Sequence, residues 1–423
     1  MFIEELLWKE PKGYRDWRLP ENRLEAFTRV IHTRMVEGDL DHHHSGKVIA
    51  DQLGLTNDQK VLYCLVFGQS YRNHWAMLAF QLWPDLMTAD IPAMRKWHDA
   101  NWHRMYYGND TKWGVRKWPD FVADLQKRYA GVGLYEFWSN LANSGTKEEN
   151  FRAVNKELQE IYGIGRMTAW LAQQTMYEFF HWDIDFWDQQ LYDHGTWSQY
   201  DSLCYLYDRL DLARSQKNRY GKVTRYSPTK DDIKLMEVKT QELMEFVNER
   251  IPFHVDIYNV ESAECEYRKT AYGPKIKEYT FWTTNELVEQ YVKLRAKWAD
   301  YNGPLQPDWM PYVTAFMTKG PNVRQFGYHP SYFRVMTDYG MNLNTHIRYP
   351  SEPNAHTVLD LPTKLMPSVA LLEAEWGTLD PAVQVALRAK YDPVKTLQFK
   401  PRTHPAWSCP VTDLSYIPSG ETP

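Results

Sequence analysis

The sequence predicts a mainly α-helical protein with an irregular C-terminal part. Apolar residues recur at helical spacing through most of the chain before residue 250, and no convincing alternating strand pattern occurs there. Beyond residue 303 prolines recur and the helical periodicity fades. Hydrophobic residues make up 43% of the 423 residues, so we expect a substantial buried core.

Most of the chain before residue 303 is assigned to helices. We predict them over residues 22–37, 58–83, 91–106, 118–129, 133–142, 151–162, 166–180, 186–212, 229–250, 260–270 and 285–299, with one more near 380–390. Thr146 and Glu149 have the spacing of a capping box, in which each side chain bonds a backbone N–H at a helix start. Residues 213–230 are basic and polar, which is typical of a linker.

Charge and cysteine content exclude some classes of protein. The formal net charge of −5 argues against a non-specific nucleic-acid coating protein, which is usually basic. The four cysteines are scattered without a C-x-x-C pair, which argues against a cysteine zinc site and a disulfide framework. The N-terminus lacks the apolar run of a signal peptide, and no stretch of about 18 apolar residues occurs. We therefore expect a cytoplasmic protein that does not interact with membranes.

The run DHHH at residues 41–44 raises the question of a metal site, because imidazoles bind zinc. Adjacent histidines in a loop do not all reach one ion, and no H-E-x-x-H motif is present. We interpret DHHHSG as a solvated loop and predict no protein-bound metal there.

The sequence IYGIGRMTAW at residues 161–170 places two glycines between two predicted helices. Glycine adopts positive φ without steric cost, so Gly163 and Gly165 allow a tight hairpin that Ile164 anchors by pointing back into the core. Backbone N–H groups at the start of the second helix, from Arg166 to Thr168, favour a phosphate. The hairpin is thus a candidate for gripping a DNA backbone, and an ordinary corner between two helices is the alternative.

These residues resemble the helix-hairpin-helix DNA glycosylase superfamily. In that superfamily an apolar-Gly-apolar-Gly hairpin precedes a catalytic Asp by about twenty residues, and Asp185 has this offset from Gly165. Gln69, in LVFGQSYRNHW, resembles a Gln that lies near the substrate base. The resemblance covers residues 55–215. Met167 stands where bifunctional members carry an imine-forming Lys, and the four-Cys pattern of an iron–sulfur cluster is absent.

One phage branch of this superfamily, the amino acid:DNA transferases, is similar to this chain in its extra C-terminal length. The segment VESAECEYRKT at residues 260–270 also resembles a C-terminal element of that group. The resemblance implies an enzyme that joins an amino acid or polyamine to pyrophosphorylated 5-hydroxymethyluracil in double-stranded DNA and releases pyrophosphate. The alternatives are a monofunctional glycosylase that excises a modified base and a non-enzymatic DNA-binding protein.

The implied chemistry assigns roles to particular residues. A carboxylate whose pKa is raised in a dry pocket can act as general base, and Asp185 is the candidate. Trp170 is the candidate for stacking on a flipped base, with further aromatic residues near it at Tyr177, Phe186 and Trp187. The candidates for binding pyrophosphate are cationic, since guanidinium and ammonium groups neutralise phosphate oxygens: Arg72, Arg166, Arg268 and Lys269. Mg²⁺ is a further candidate for that task.

Each assignment has a structural alternative. Asp185 is also placed to cap a following helix, Gln69 to bridge backbone groups, and Arg166 to lie on the surface at a helix start. The acidic residues Asp183 and Asp188 are expected to be solvated or to cap. Glu261, Glu264 and Arg268 fall at helical spacing, as in an intrahelical ion-pair face.

Four regions are expected along the chain. They are an N-terminal helical segment at 1–54, a glycosylase-like core at 55–215, a helical region completing the core at 229–302 and an irregular extension at 303–423.

Overall fold

A computed structural model describes scattered residues between 20 and 31 and then residues 42–105, 117–191, 197–217, 223–251, 254–271, 283–303, 305–318 and 371–391. Helices dominate these residues, which confirms the mainly α-helical prediction. In chain order the helices are α1 (His42–Gln52), α2 (Asn57–Ser70), α3 (Asn73–Leu82), α4 (Ile91–Asn101), α5 (Trp118–Arg128), α6 (Leu134–Asn143), α7 (Lys147–Gln159), α8 (Arg166–Phe180), α9 (Ser198–Leu206), α10 (Lys230–Arg250), α11 (Ile257–Ala271), α12 (Thr283–Trp298), α13 (Met310–Met317) and α14 (Pro381–Lys390).

The centre of the fold is the crossing of α2 and α8. Both helices are buried along most of their length, and α8 also packs on α1 and α7. A methyl group at Gly68 would overlap the Cβ of Ala172 and lie 2.9 Å from the carbonyl oxygen of Thr168. The two backbones therefore approach closely because residue 68 has no side chain.

The hairpin between α7 and α8 has the predicted form. Glu149 Oε2 accepts a 2.8 Å hydrogen bond from the backbone N–H of Thr146, and Thr146 Oγ1 accepts one of 3.3 Å from Glu149, so the capping box is confirmed. Gly163 has φ +84°, which favours glycine, and the side chain of Ile164 is buried. Gly165 caps α8 with φ −99°, an ordinary value.

The predicted helix over 58–83 is wrong as one element, because the chain breaks between α2 and α3. Tyr71 ends α2 in the left-handed region with φ 51°, and Ser70 Oγ accepts a 3.3 Å hydrogen bond from the N–H of Arg72. Nearly all residues on both sides of the break are buried. The apolar run therefore continues through the turn, and periodicity alone does not reveal it.

The loop predicted at DHHHSG is also wrong, because α1 begins at His42. His43 Nδ1 lies 2.7 Å from Thr175 Oγ1, and His44 Nδ1 lies 3.0 Å from Glu178 Oε1. Both histidines are buried against α8. Their polar partners on α8 make them part of the core rather than of a solvated loop.

Two predictions between residues 186 and 230 need correction. The helix predicted over 186–212 is wrong at its start, since residues 182–190 have no regular structure. Its later part is confirmed by α9, and residues 192–196 lie outside the described residues. The linker contains two short antiparallel strands, β1 (Ser215–Lys217) and β2 (Val223–Arg225). The aromatic residues of this stretch belong to an irregular segment that is packed in the core. Their pattern in the sequence resembles that of a buried helix.

Helix α9 packs on both α10 and α11, and the helices predicted at 229–250, 260–270, 285–299 and 380–390 are confirmed within a few residues of each end. Residues 319–370 and 392–423, which carry most of the predicted irregular extension, lie outside the described residues. None of the helices named above is long and apolar enough to span a bilayer.

Candidate functional site

Asp185 lies on an irregular segment that other elements hold in place. Asn150 on α7 donates a 3.1 Å hydrogen bond from Nδ2 to the carbonyl oxygen of Asp183. Tyr258 on α11 donates a 2.9 Å hydrogen bond to the carbonyl oxygen of Ile184. Residues 186–190 are not helical, so the alternative in which Asp185 caps the next helix is wrong.

The carboxylate of Asp185 is buried between two basic side chains. Its exposed fraction is 8%, and its Oδ2 lies 2.5 Å from Nε2 of His254. Its Oδ1 accepts a hydrogen bond from Nζ of Lys147, the first residue of α7. The same Nζ lies 3.3 Å from Oδ1 of Asp183. Asp185 therefore joins three distant segments of the chain.

These partners decide the charge of Asp185. Burial alone would raise its pKa, but the hydrogen bond and charge of His254 and the ion pair with Lys147 outweigh burial and lower it. Burial likewise acts to lower the pKa of Lys147, yet its two carboxylate partners raise it. Asp185 is thus ionised at neutral pH, so the predicted rise in its pKa is wrong, and its role as general base stays a prediction.

Aromatic rings pack next to this segment. The ring of Tyr258 has its centroid 5.2 Å from those of both Trp170 and Tyr177, and Phe151 lies 5.5 Å from Trp170. Trp170 is 2% exposed, so the structure places it in the core rather than on a surface where a base could stack. Phe186 is partly exposed and better placed for stacking.

Gln69 lies at the end of α2, directly beside the hairpin. Its Cγ and Nε2 are each 3.8 Å from the position that a Cβ would take at Gly163. The residue is 2% exposed, and neither amide atom has a hydrogen-bond partner among the residues that the structure describes. The expected alternative, an amide that bridges backbone groups, is therefore wrong for this part of the chain. A buried amide in this state costs free energy, which keeps Gln69 a candidate for contact with a ligand.

The outer face of the hairpin is open. Nothing lies within 4 Å of a Cβ built on Gly165, and Arg166 beside it is exposed. Thr168 Oγ1 accepts a 2.7 Å hydrogen bond from the N–H of Gly165 and so stabilises the start of α8. Tyr162 is also exposed, with Nζ of Lys117 5.7 Å from its ring centroid. A polar and cationic surface therefore surrounds the turn.

The structure describes the side chain of only one of the other predicted cations, Arg72. Arg72 donates a 2.8 Å hydrogen bond from Nη1 to the carbonyl oxygen of Tyr71, and its buried Nε has no partner among the described residues. It lies close enough to Tyr312 to oppose the rise in pKa that burial causes there. Arg268 and Lys269 belong to α11, but their side chains lie outside the described residues.

Glu261 and Glu264 on α11 are buried. The ion-pair face expected there stays a prediction, because the side chain of Arg268 lies outside the described residues. Gln199 donates a hydrogen bond to Glu261, and Gln189 Nε2 donates one of 2.5 Å to Glu264 Oε2. Burial raises the pKa of Glu264 well above its usual range. Glu261 thus pairs with an amide of α9, and Glu264 pairs with an amide of the irregular segment after Asp185.

Other acidic residues near the site do not form a metal centre. Asp188 is buried, and its Oδ1 accepts a 2.8 Å hydrogen bond from the backbone N–H of Gln190 in a local turn. In the described ranges, no three His, Cys, Asp or Glu side chains are grouped so that they could hold a metal ion.

Comparison with known proteins decides the family. The profile of the family described as amino acid:DNA transferase matches residues 39–275, more than half of the chain. The chain belongs to the amino acid:DNA transferase family. The match confirms the resemblance to the amino acid:DNA transferases, and it supports a transferase whose partners are DNA and an amino acid. No curated protein and no solved structure matches.

The range matched to the amino acid:DNA transferase family includes two site residues that sequence reasoning missed, Lys147 and His254. Lys147 carried a local signal, because a cation in the first turn of a helix opposes the helix dipole. His254 stands alone between two helices, and nothing near it in the sequence indicates a site.

Proposed function

We propose that the protein joins an amine-bearing small molecule, an amino acid or a polyamine, to pyrophosphorylated 5-hydroxymethyluracil in double-stranded DNA and releases pyrophosphate. Family membership supports the transfer to DNA. The observation that carries the finer proposal is the ionised Asp185, buried beside His254 and Lys147. A buried negative charge stabilises positive charge that develops during a reaction.

The hairpin and Gln69 would bind the modified nucleotide. In the proposed glycosylase-like core, residues 163–168 hold the phosphate backbone, and the target nucleotide leaves the base stack. A glutamine amide offers one acceptor and two donors, which suit the N3–H and carbonyl groups of a uracil edge. This would satisfy the two amide atoms of Gln69 that lack partners in the described structure.

The proposed step balances as a substitution at the 5-methylene carbon. The amine nitrogen donates its lone pair and forms a C–N bond, while the C–O bond breaks and pyrophosphate leaves with that electron pair. The new ammonium then releases one proton to solvent. Asp185 accepts a hydrogen bond from the attacking N–H and stabilises the positive charge on nitrogen.

Cationic side chains would neutralise the leaving pyrophosphate. Arg166 and Arg72 are the proposed contacts, and Arg268 and Lys269 extend the same proposal to the end of α11. Mg²⁺ held by the pyrophosphate oxygens is a further candidate for the same task.

The decisive experiment is mass spectrometry of nucleosides from treated DNA. The protein is incubated with duplex DNA bearing pyrophosphorylated 5-hydroxymethyldeoxyuridine and a panel of amines. A new nucleoside that carries the mass of one amine, with pyrophosphate released, supports the transferase and names its substrate. The Asp185→Asn variant should lose this product and keep DNA binding. Loss of binding alone would overturn the assigned site.

A monofunctional glycosylase is the second candidate, because an ionised carboxylate such as Asp185 also stabilises an oxocarbenium ion. In the same experiment it would release a free base and leave an abasic sugar, whichever amine is added. That outcome would reject the transferase.

A further inference from the structure

We propose that His254 is a positioning residue for the reaction: its hydrogen bond fixes the orientation of the Asp185 carboxylate toward the attacking amine. The inference rests on the proposed function. It concerns a residue outside the predicted core at 55–215, contributed by the segment between α10 and α11.

The two oxygens of Asp185 are divided between its partners. Oδ2 faces Nε2 of His254 at 2.5 Å, and Oδ1 faces Nζ of Lys147. A carboxylate accepts and does not donate, so Nε2 of His254 carries the proton in this contact. With both oxygens bonded, the carboxylate cannot rotate without breaking a charge-assisted hydrogen bond.

His254 is itself rigidly held. The next residue, Val255, donates a 3.1 Å hydrogen bond from its N–H to Oδ1 of Asn248, and Asn248 Nδ2 donates one of 2.9 Å to the carbonyl oxygen of Val255. Asn248 lies in the last turns of α10 and is buried. The backbone next to His254 is therefore tied to α10.

Lys147 is not equivalent to His254. The side chain of Lys147 is 46% exposed and is shared with Asp183, whereas that of His254 is 11% exposed. Solvent weakens an exposed ion pair, so the buried contact restrains the carboxylate more strongly. Lys147 alone would leave Asp185 ionised but less firmly oriented.

The charged and titratable groups around the pair come from four elements. Lys147 belongs to α7, Asp183 to the irregular segment, Tyr177 to α8, and Asp256 and Tyr258 to the start of α11. Among these groups Lys147 is the cation. Removing the imidazole would therefore leave Lys147 to oppose burial and the neighbouring acidic groups, so the pKa of Asp185 should rise from its wild-type value.

The test compares His254→Leu, which removes the donor, with His254→Gln, which can restore one. We expect His254→Leu to lower kcat by about 100-fold, in line with losses at groups that orient a reactive ligand. KM for DNA should stay within about threefold, since the residue acts on orientation rather than binding. The acid limb of the pH profile of kcat should move to higher pH, and His254→Gln should recover about tenfold of the lost rate.

His98→Gln is the matched control, because His98 is a buried histidine on α4. It should leave the acid limb where the wild-type protein has it. An acid limb that does not move in His254→Leu, or a kcat loss that His98→Gln reproduces, would overturn the inference.

A second measurement separates this inference from the proposed function. The carboxyl of Asp185 is titrated by infrared difference spectroscopy on protein with isotope-labelled aspartate. The spectrum of Asp185→Asn is subtracted to remove the signals of the other aspartates. In His254→Leu its pKa should rise, whether or not any amine is transferred. An unchanged pKa rejects the role of His254. If the pKa of Asp185 rises in His254→Leu but the wild-type protein transfers no amine, the proposed reaction is rejected instead.

Discussion

Gly68 on α2 and Ala172 on α8 meet with no room for a side chain between them. A Cβ on Gly68 would lie 2.9 Å from the Cα of Ala172, closer than Cβ atoms approach their neighbours in real structures. This contact sets how deeply α2 lies against α8. It therefore also fixes the next residue, Gln69, beside Gly163 at the hairpin.

Gly68→Ala is expected to lower the free energy of unfolding by about 1–3 kcal/mol, because a buried methyl group would push the two helices apart. Urea denaturation measures this change. Gly133→Ala, where no atom lies within 4 Å of the added group, is the control. Equal losses in the two variants would show that the α2–α8 crossing is not so tightly packed.

Gly163→Ala and Gly165→Ala should differ, although the two glycines are one residue apart. Gly163 has φ +84°, so alanine there should lower the free energy of unfolding by about 1–2 kcal/mol. Gly165 has an ordinary φ and open space around it, so its variant should change stability by less than about 1 kcal/mol.

The same pair of variants tests the hairpin as a DNA contact. We expect Gly163→Ala to weaken binding to a DNA duplex, measured by fluorescence anisotropy, because strain at this position reshapes the turn. Binding that is unaffected by a destabilised turn would argue that the DNA backbone lies elsewhere.

Gln69→Met should make the protein more stable and less active. The amide of Gln69 is buried without partners in the described structure, and such a group costs about 1–3 kcal/mol. A methionine of similar length removes that cost, so thermal unfolding should shift to higher temperature. Amine transfer to DNA should fall more than tenfold if the amide bonds the base, since about 1.4 kcal/mol corresponds to tenfold. A destabilised variant would indicate that the amide has native partners.

Glu264→Gln should remove a pH dependence of stability. Burial raises the pKa of Glu264 well above the usual range of a glutamate, so above that range the folded protein binds more protons than the unfolded chain. Stability from this group is therefore lost as pH rises above the usual range and toward the raised pKa, by at most about 1.4 kcal/mol per pH unit. Glutamine mimics the neutral acid and should abolish this slope.

The pairing of Glu264 with Gln189 explains why the folded protein favours a protonated Glu264. Oε1 of each side chain lacks a partner among the described residues, and a protonated Glu264 would supply the missing donor. Urea unfolding of both proteins at pH 5 and pH 8 measures the difference. Parallel pH profiles for the wild type and Glu264→Gln would mean that Glu264 is charged in the folded protein.

Local signals in the sequence predicted the parts of the fold that local physics decides. The capping residue Thr146, the glycine at 163 and the polar stretch before α10 each mark a helix end through a backbone requirement. The break at Tyr71 and the helix at DHHH could not be read in this way. Both lie among buried residues, so the apolar pattern does not mark them, and contacts of His43 and His44 with α8 hold the helix at DHHH.

In the candidate site, too, short motifs predicted some features, whereas others depend on contacts between distant residues. Gln69 and the hairpin were found because short motifs carry their spacing, and Asp185 because it follows the hairpin at a fixed offset. Its charge could not be predicted, because the pKa depends on Lys147 and His254, which lie 38 and 69 residues away in the chain. Contacts over such separations leave no pattern in a single sequence.

The separation of Asp185 from His254 also has a consequence for biosynthesis. A nascent chain that has left the ribosome as far as α9 already contains both helices of the hairpin and the aspartate, but not the histidine that lies 69 residues beyond it. Since chains emerge from the N-terminus first, the surface suited to phosphate can form while the carboxylate still lacks its second partner. The ability to hold DNA would then mature before the ability to change it.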